Sequence, residues 1–126
     1  ELGRPVSQGD IVVFHNPDGT SEHDVLVKRV IATAGQTVDL QDGKVVVDGQ
    51  VLDEDYTTGM SWPLSVQAPA AQVSYPYTVP DDRVWVMGDN RENSADSRYF
   101  GPVDRSDLIA VALVRYWPLN RLGAID

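Results

Sequence analysis

The sequence predicts an all-β domain, mainly antiparallel, made of meanders and hairpins with one short loop-rich insertion. Three observations predict it. Short runs rich in β-branched residues recur along the chain, among them Ile11-Val12-Val13-Phe14, Lys44-Val45-Val46-Val47 and Val84-Trp85-Val86-Met87. Asp42-Gly43 and Asp48-Gly49 separate three consecutive runs, and both residues of an Asp-Gly pair accept the positive φ angles of a two-residue hairpin turn. Prolines fall between the runs rather than within them, where a missing N–H would break a ladder.

Ile11 to Phe14 reads as a buried strand, and Asn16-Pro17-Asp18-Gly19 as the turn that ends it. Asp24 to Ile31 is the second strand. Thr37 to Leu40, Lys44 to Val47 and Gln50 to Leu52 form a β-meander across the two Asp-Gly turns. Residues 53–80 carry Pro63, Pro69, Pro76 and Pro80 between short apolar groups and read as an insertion or long loop. Trp62 and Tyr75 within it are expected to pack onto the core, the alternative being a surface that meets a membrane or partner. Val84 to Met87 is a strand that leads into a polar loop. Leu108 to Trp117 is the last long strand, stopped by Pro118; Asp104 could cap a helix there, but β-branching favours strand.

At 126 residues the chain has room for one core, so residues 1–126 are read as a single domain with the insertion inside it. Ten basic against 19 acidic residues give a net charge of −9, which argues against nucleic acid as a partner and offers nothing to anionic lipid. No cysteine is present, which excludes disulfides and thiol catalysis. His15 and His23 are the only histidines, so neither a histidine-based triad nor a multi-histidine metal site is expected, and each is read as a solvated loop residue. No metal or other cofactor is called for. The chain has no run of 18 or more apolar residues and no short apolar segment with a basic flank.

Two segments carry chemistry. The first is Gly88-Asp89-Asn90-Arg91-Glu92-Asn93-Ser94-Ala95-Asp96-Ser97-Arg98, dense in carboxylates, guanidiniums, amides and hydroxyls that can satisfy one another. By itself it fits a structural loop as well as a site. The second is Lys28 within Val25-Leu26-Val27-Lys28-Arg29-Val30-Ile31, where strand alternation puts the lysine on the face of Leu26 and Val30. An amine among apolar neighbours loses its charged form, so its pKa falls from about 10.4 and a usable fraction becomes neutral base. A lysine snorkelling from a strand edge is the structural alternative.

In this order, the segments resemble those of the type I signal peptidases, membrane-bound Ser/Lys proteases that remove signal peptides from exported proteins. The resemblance rests on Gly9-Asp10-Ile11-Val12-Val13-Phe14, on Val27-Lys28-Arg29-Val30-Ile31-Ala32-Thr33-Ala34-Gly35-Gln36-Thr37-Val38, and on Gly88 to Arg98 with its continuation Tyr99-Phe100-Gly101-Pro102-Val103. It covers most of the chain except about 53–80. It implies a signal-peptidase-like β core. It also implies that Lys28 is the general base, that Ser94 is the hydroxyl that orients it, and that Asp89, Arg91, Asp96 and Arg98, grouped with Asn90 and Asn93, support the site. Val25, Leu26 and Val27, next to the base, are candidates for a strand edge on which an extended substrate pairs; they fit ordinary core as well.

One departure stands out. The family's nucleophile is a serine followed by methionine, one residue and proline, upstream of the Gly-Asp-Ile-Val-Val-Phe motif. Neither Met60 nor Met87 follows a serine, Ser61 lies after the lysine, and the neighbours of Ser7 do not reproduce the motif. The expectation is a fragment that folds but does not cleave, with the nucleophile and a membrane anchor upstream. The whole enzyme implied is a signal peptidase acting on signal peptides of exported preproteins, held at the cell membrane with its catalytic domain on the extracytoplasmic side, and needing no cofactor. The alternatives are a non-catalytic homologue that binds extended peptides, and a cytoplasmic Ser/Lys self-cleaving repressor-type peptidase.

Overall fold

A computed structural model describes residues 5–19, 22–67, 72–92 and 95–112. The strands among them are β1 (Ile11–His15), β2 (Val25–Thr33), β3 (Thr37–Gln41), β4 (Lys44–Val47), β5 (Gln50–Val51), β6 (Tyr77–Thr78), β7 (Arg83–Met87), β8 (Val103–Asp104) and β9 (Leu108–Ala112). They form a five-stranded sheet in the order β8-β7-β2-β1-β9 and a four-stranded sheet in the order β5-β4-β3-β6. Every pairing between named strands is antiparallel.

The expected all-β architecture holds, and so does the meander. The turns between β3, β4 and β5 have Asp42 at φ 53° and Gly43 at 77°, then Asp48 at 50° and Gly49 at 82°, so both central residues of each turn are left-handed as a tight hairpin requires. Asp18 N–H donates to the Asn16 side chain, closing the Asx turn after β1. His15 and His23 are exposed. Within residues 108–117, β9 accounts for Leu108–Ala112, preceded by a 3₁₀ turn at Arg105–Asp107 that Asp104 caps; residues 113–117, with Trp117, and Pro118 lie outside the described residues.

Alternation along β7 organises the interior. Val84 and Val86 face one side and join Val12, Phe14, Leu26, Val30, Phe100, Val103 and Leu108 in a first apolar cluster. Trp85 and Met87 face the other side and meet Ile31, Ala32, Val38, Val45, Val47 and Val79, so the second sheet is sealed onto the first through the Trp85 side chain. Tyr75 packs edge-on to Trp85 with ring centroids 6.0 Å apart, as expected of a core residue. Trp62 departs from that expectation and is 50 % exposed. Its backbone carbonyl is tied to Arg98 instead, and the bond orients the chain without burying the ring.

The polar segment departs from a plain loop as well. Ser97–Phe100 is one turn of helix, α1, with the Asp96 carboxylate accepting from Arg98 N–H at its start. The helix is there for a reason set by the sheet. β8 covers β7 only as far as Arg83 and Val84, which leaves the next outward N–H groups of β7 to find other acceptors. Val86 N–H donates to Ser97 Oγ at 2.9 Å and Gly88 N–H to Asp96 Oδ2 at 3.1 Å. Two side chains thus continue the ladder where a strand stops.

Candidate functional site

Lys28 lies mid-strand in β2, opposite Val12 of β1, and is fully buried. Its neighbours on the same face of β2 are Leu26 and Val30, both in the first apolar cluster. Arg29, the next residue, is equally buried and must project to the opposite face. There it meets the polar segment: its Nε and Nη2 donate to Asp89 Oδ1 and Oδ2, both at 3.0 Å, its Nη1 donates to the Gly9 carbonyl, and its guanidinium sits 3.8 Å from the centroid of the Tyr56 ring. Two consecutive buried basic side chains on one strand therefore project to opposite faces.

The backbone of β2 is paired unevenly. Val30 N–H donates to Asp10 O and Asn16 N–H to Asp24 O, which fixes the even-numbered residues of β2 as those bonded toward β1. Val25, Val27 and Arg29 then point their N–H and C=O groups the other way. On that side β7 begins its pairing at Arg29, opposite Met87, so among the described residues no strand bonds to Val25 or Val27 there, while β1 lies along their other side opposite His15 and Val13. The structure thus separates the three candidates for a substrate edge. Val25 is 46 % exposed and Val27 half-buried, whereas the Leu26 side chain belongs to the core.

The support residues fall into guanidinium–carboxylate pairs. Asp89 holds Arg29. Asp96 holds Arg98 through both oxygens, at 3.0 and 2.9 Å, while also accepting from two backbone N–H groups. Arg91, 1 % exposed, donates from Nε to the Gly88 carbonyl at 2.7 Å, which ties the turn to itself. Asn90 makes a parallel bridge to Thr58. Asn93 and Ser94 lie outside the described residues.

Sequence reasoning passed over four residues that this arrangement uses. Arg29 was visible beside Lys28, and alternation alone places it on the other face. Glu54 binds Arg91 with both carboxylate oxygens, at 2.8 and 2.6 Å, and Ser61 Oγ accepts from the same guanidinium at 3.0 Å. Tyr56 stacks on Arg29, and burial, followed by the neighbouring Glu54 charge, pushes its phenol up to about 12. Glu54, Tyr56 and Ser61 belong to a proline-rich stretch with no periodicity, and nothing local says that it folds back on residues 88–92.

The carboxylates of this region are thus engaged by guanidiniums or backbone N–H groups. Among the described residues no cluster of three or more His, Asp or Glu side chains is placed to hold a metal. A cleft of about 500 Å3 opens beside Glu54 and Ser61, lined also by Lys44, Val51 and Met60. In its neutral form an amine on this strand can take a proton from a hydroxyl positioned by a peptide lying along the Val25–Val27 stretch.

Comparison with known proteins gives a consistent picture. Residues 3–117 match the family model described as signal peptidase, peptidase S26. The chain is 39 % identical over 126 residues to signal peptidase I of Leptolyngbya laminosa, covering 96 % of this chain and 58 % of that protein. It is 41 % identical over 125 residues to a probable signal peptidase I-2 of Synechocystis sp., covering 97 % of this chain and 53 % of that one. The crystal structure of a signal peptidase I from Enterococcus faecalis superposes with a TM-score of 0.67 at 30 % identity, covering 89 % of this chain and 99 % of that one. The chain spans a little over half the length of these two curated relatives.

Proposed function

This chain belongs to the signal peptidase family, peptidase S26, and on that premise we propose that it forms the core of a signal peptidase I, an endopeptidase that cleaves signal peptides from exported preproteins. One observation carries the assignment to a site: Lys28, fully buried on the face of Leu26 and Val30, lies beside Val25 and Val27, whose β7 side no strand pairs among the described residues. Burying an amine costs several kcal/mol of desolvation, on the order of the net stability of a small domain, so its place in the interior calls for a role.

The mechanism follows from the chemistry of the groups. An extended substrate pairs with the Val25–Val27 edge through main-chain hydrogen bonds, which leaves alternate side chains to enter pockets. Neutral Lys28 accepts the proton of a serine hydroxyl as its oxygen attacks the scissile carbonyl, and the resulting ammonium returns that proton to the leaving amine. Water then attacks the acyl-enzyme, with Lys28 again taking and returning a proton. The attacking serine is assigned to a segment outside these 126 residues, and Ser94 is assigned to orient the amine. The Arg29–Asp89 pair keeps the polar segment against β2 and the Arg98–Asp96 pair braces it internally, a supporting role. The family points to the extracytoplasmic face of a membrane as the working place. Among the described residues no helix is long and apolar enough to cross a membrane.

The test is cleavage of a preprotein by the natural full-length protein, with Lys28→Ala as the comparison and circular dichroism to show that both fold. Cleavage lost only in the variant is the expected result. Cleavage retained by Lys28→Ala would remove Lys28 from the mechanism, and a folded full-length protein with no cleavage would favour a peptide-binding homologue.

A further inference from the structure

Residues 54–61 form a strap across the polar turn 88–92, and the strap is hydrogen-bonded to Asp89, Arg91 and Glu92 of that turn. Thr58 N–H donates to Asp89 O at 2.9 Å, and Arg91 N–H donates to Thr58 O at 2.8 Å. Met60 N–H donates to the Glu92 carboxylate at 2.7 Å. Arg91 is the hub. One edge of its guanidinium holds Gly88 O, and the rest is held by Glu54 and Ser61 of the strap.

The Glu54–Arg91 pair differs from its two counterparts. Arg98–Asp96 is local in sequence, and Arg29–Asp89 joins the turn to the strand that carries Lys28. Only Glu54–Arg91 joins the turn to the strap, across 37 residues of sequence, with side chains 9 % and 1 % exposed. A buried ion pair is a weak source of net stability, because desolvation cancels most of the attraction and a packed apolar pair often does as well. A bidentate fork does fix geometry, since two parallel bonds leave the carboxylate and guanidinium one relative orientation.

We propose that Glu54 is a positioning residue for the Lys28 site: by clamping Arg91 it fixes the turn Gly88–Glu92, and through Asp89 and Arg29 it fixes the β2 backbone from which Lys28 projects. The inference rests on the reading of Lys28 as the general base. Loss of the Glu54 charge lets Arg91 and the turn relax, which displaces the amine relative to the attacking hydroxyl. A displacement near 1 Å costs up to about 100-fold in rate. Substrate binding along Val25–Val27 involves none of these bonds, so the change falls on kcat.

The experiment compares Glu54→Gln, Glu54→Asp and Lys28→Ala in the natural full-length protein. Preprotein cleavage is measured per folded molecule, well below each melting temperature. Expected for Glu54→Gln is a kcat about 10- to 100-fold lower with KM unchanged. Glu54→Asp keeps the charge but draws the carboxylate back by one methylene from Arg91, and a smaller loss in the same parameter is expected; it decides the matter if Glu54→Gln does not fold. Wild-type kcat in folded Glu54→Gln or Glu54→Asp, with only the melting temperature lowered, would overturn the positioning role while inactivity of Lys28→Ala left the site reading intact. Cleavage by Lys28→Ala would instead sink the site reading, and this inference with it.

Discussion

Replacing Asp89 by Ala tests a buried charge pair that joins the polar segment to β2. Asp89 offers two oxygens to Arg29, each at 3.0 Å, and the two side chains are 6 % and 0 % exposed. Alanine leaves the guanidinium in the interior with the Gly9 carbonyl and the Tyr56 ring but without the carboxylate that balances its charge. Removing one partner of a buried pair costs about 3–5 kcal/mol. With an unfolding entropy of about 2.1 cal/mol/K per residue over a 126-residue chain, one kcal/mol corresponds to roughly 4 °C, so Tm should fall by roughly 10–20 °C. Asp89→Asn keeps one acceptor oxygen and should fall between alanine and wild type. Arg83→Ala, which removes a 3.8 Å pair whose side chains are 44 % and 40 % exposed, should leave Tm where it was. Calorimetry on the folded variants reads all three. A fall of less than about 3 °C for Asp89→Ala would show that water reaches Arg29, and would refute the argument that this pair anchors the polar segment to β2.

Three further outcomes are expected. Ser97→Ala strands the buried Val86 N–H and should cost about 1–3 kcal/mol in urea unfolding, whereas the same change at exposed Ser106 should not move the midpoint; equal midpoints would contradict the capping of β7 by α1. Val25→Pro removes an N–H from the open edge of β2 at the first residue of the strand, where proline is tolerated, and should raise KM about 2- to 10-fold with Tm little changed; an unchanged KM would remove Val25 from the substrate edge. Tyr56 should ionise near pH 12 rather than about 10 by tyrosinate absorbance, a step that Tyr56→Phe abolishes. Because the folded state holds this proton more tightly than the unfolded state, the stability it contributes is present below about pH 10 and is lost as pH rises through about 12. Superimposable titrations of wild type and Tyr56→Phe through that range would refute the burial of Tyr56.

The sequence by itself determined what depends on near neighbours. Asp42-Gly43 and Asp48-Gly49 dictated two hairpins, because few other residue pairs accept left-handed φ angles at both positions. Alternation placed Lys28 with Leu26 and Val30, and the same rule, applied one residue on, sends Arg29 to the opposite face. The polar segment stood out by composition. Which arginine took which carboxylate was decided only by tertiary structure, because a charge has no period and pairs with whatever the fold brings near. Glu54 and Arg91 lie 37 residues apart, and residues 54–61 became a strap because Thr58 found the turn's backbone groups. Asp96 and Ser97 formed a helical turn because β8 ended before β7 did, leaving two N–H groups that only those side chains reached. The stretch at Val25 and Val27 that β7 does not reach has the same origin: a strand's residues announce that it will pair, but how far its neighbour extends along it is a property of the assembled sheet.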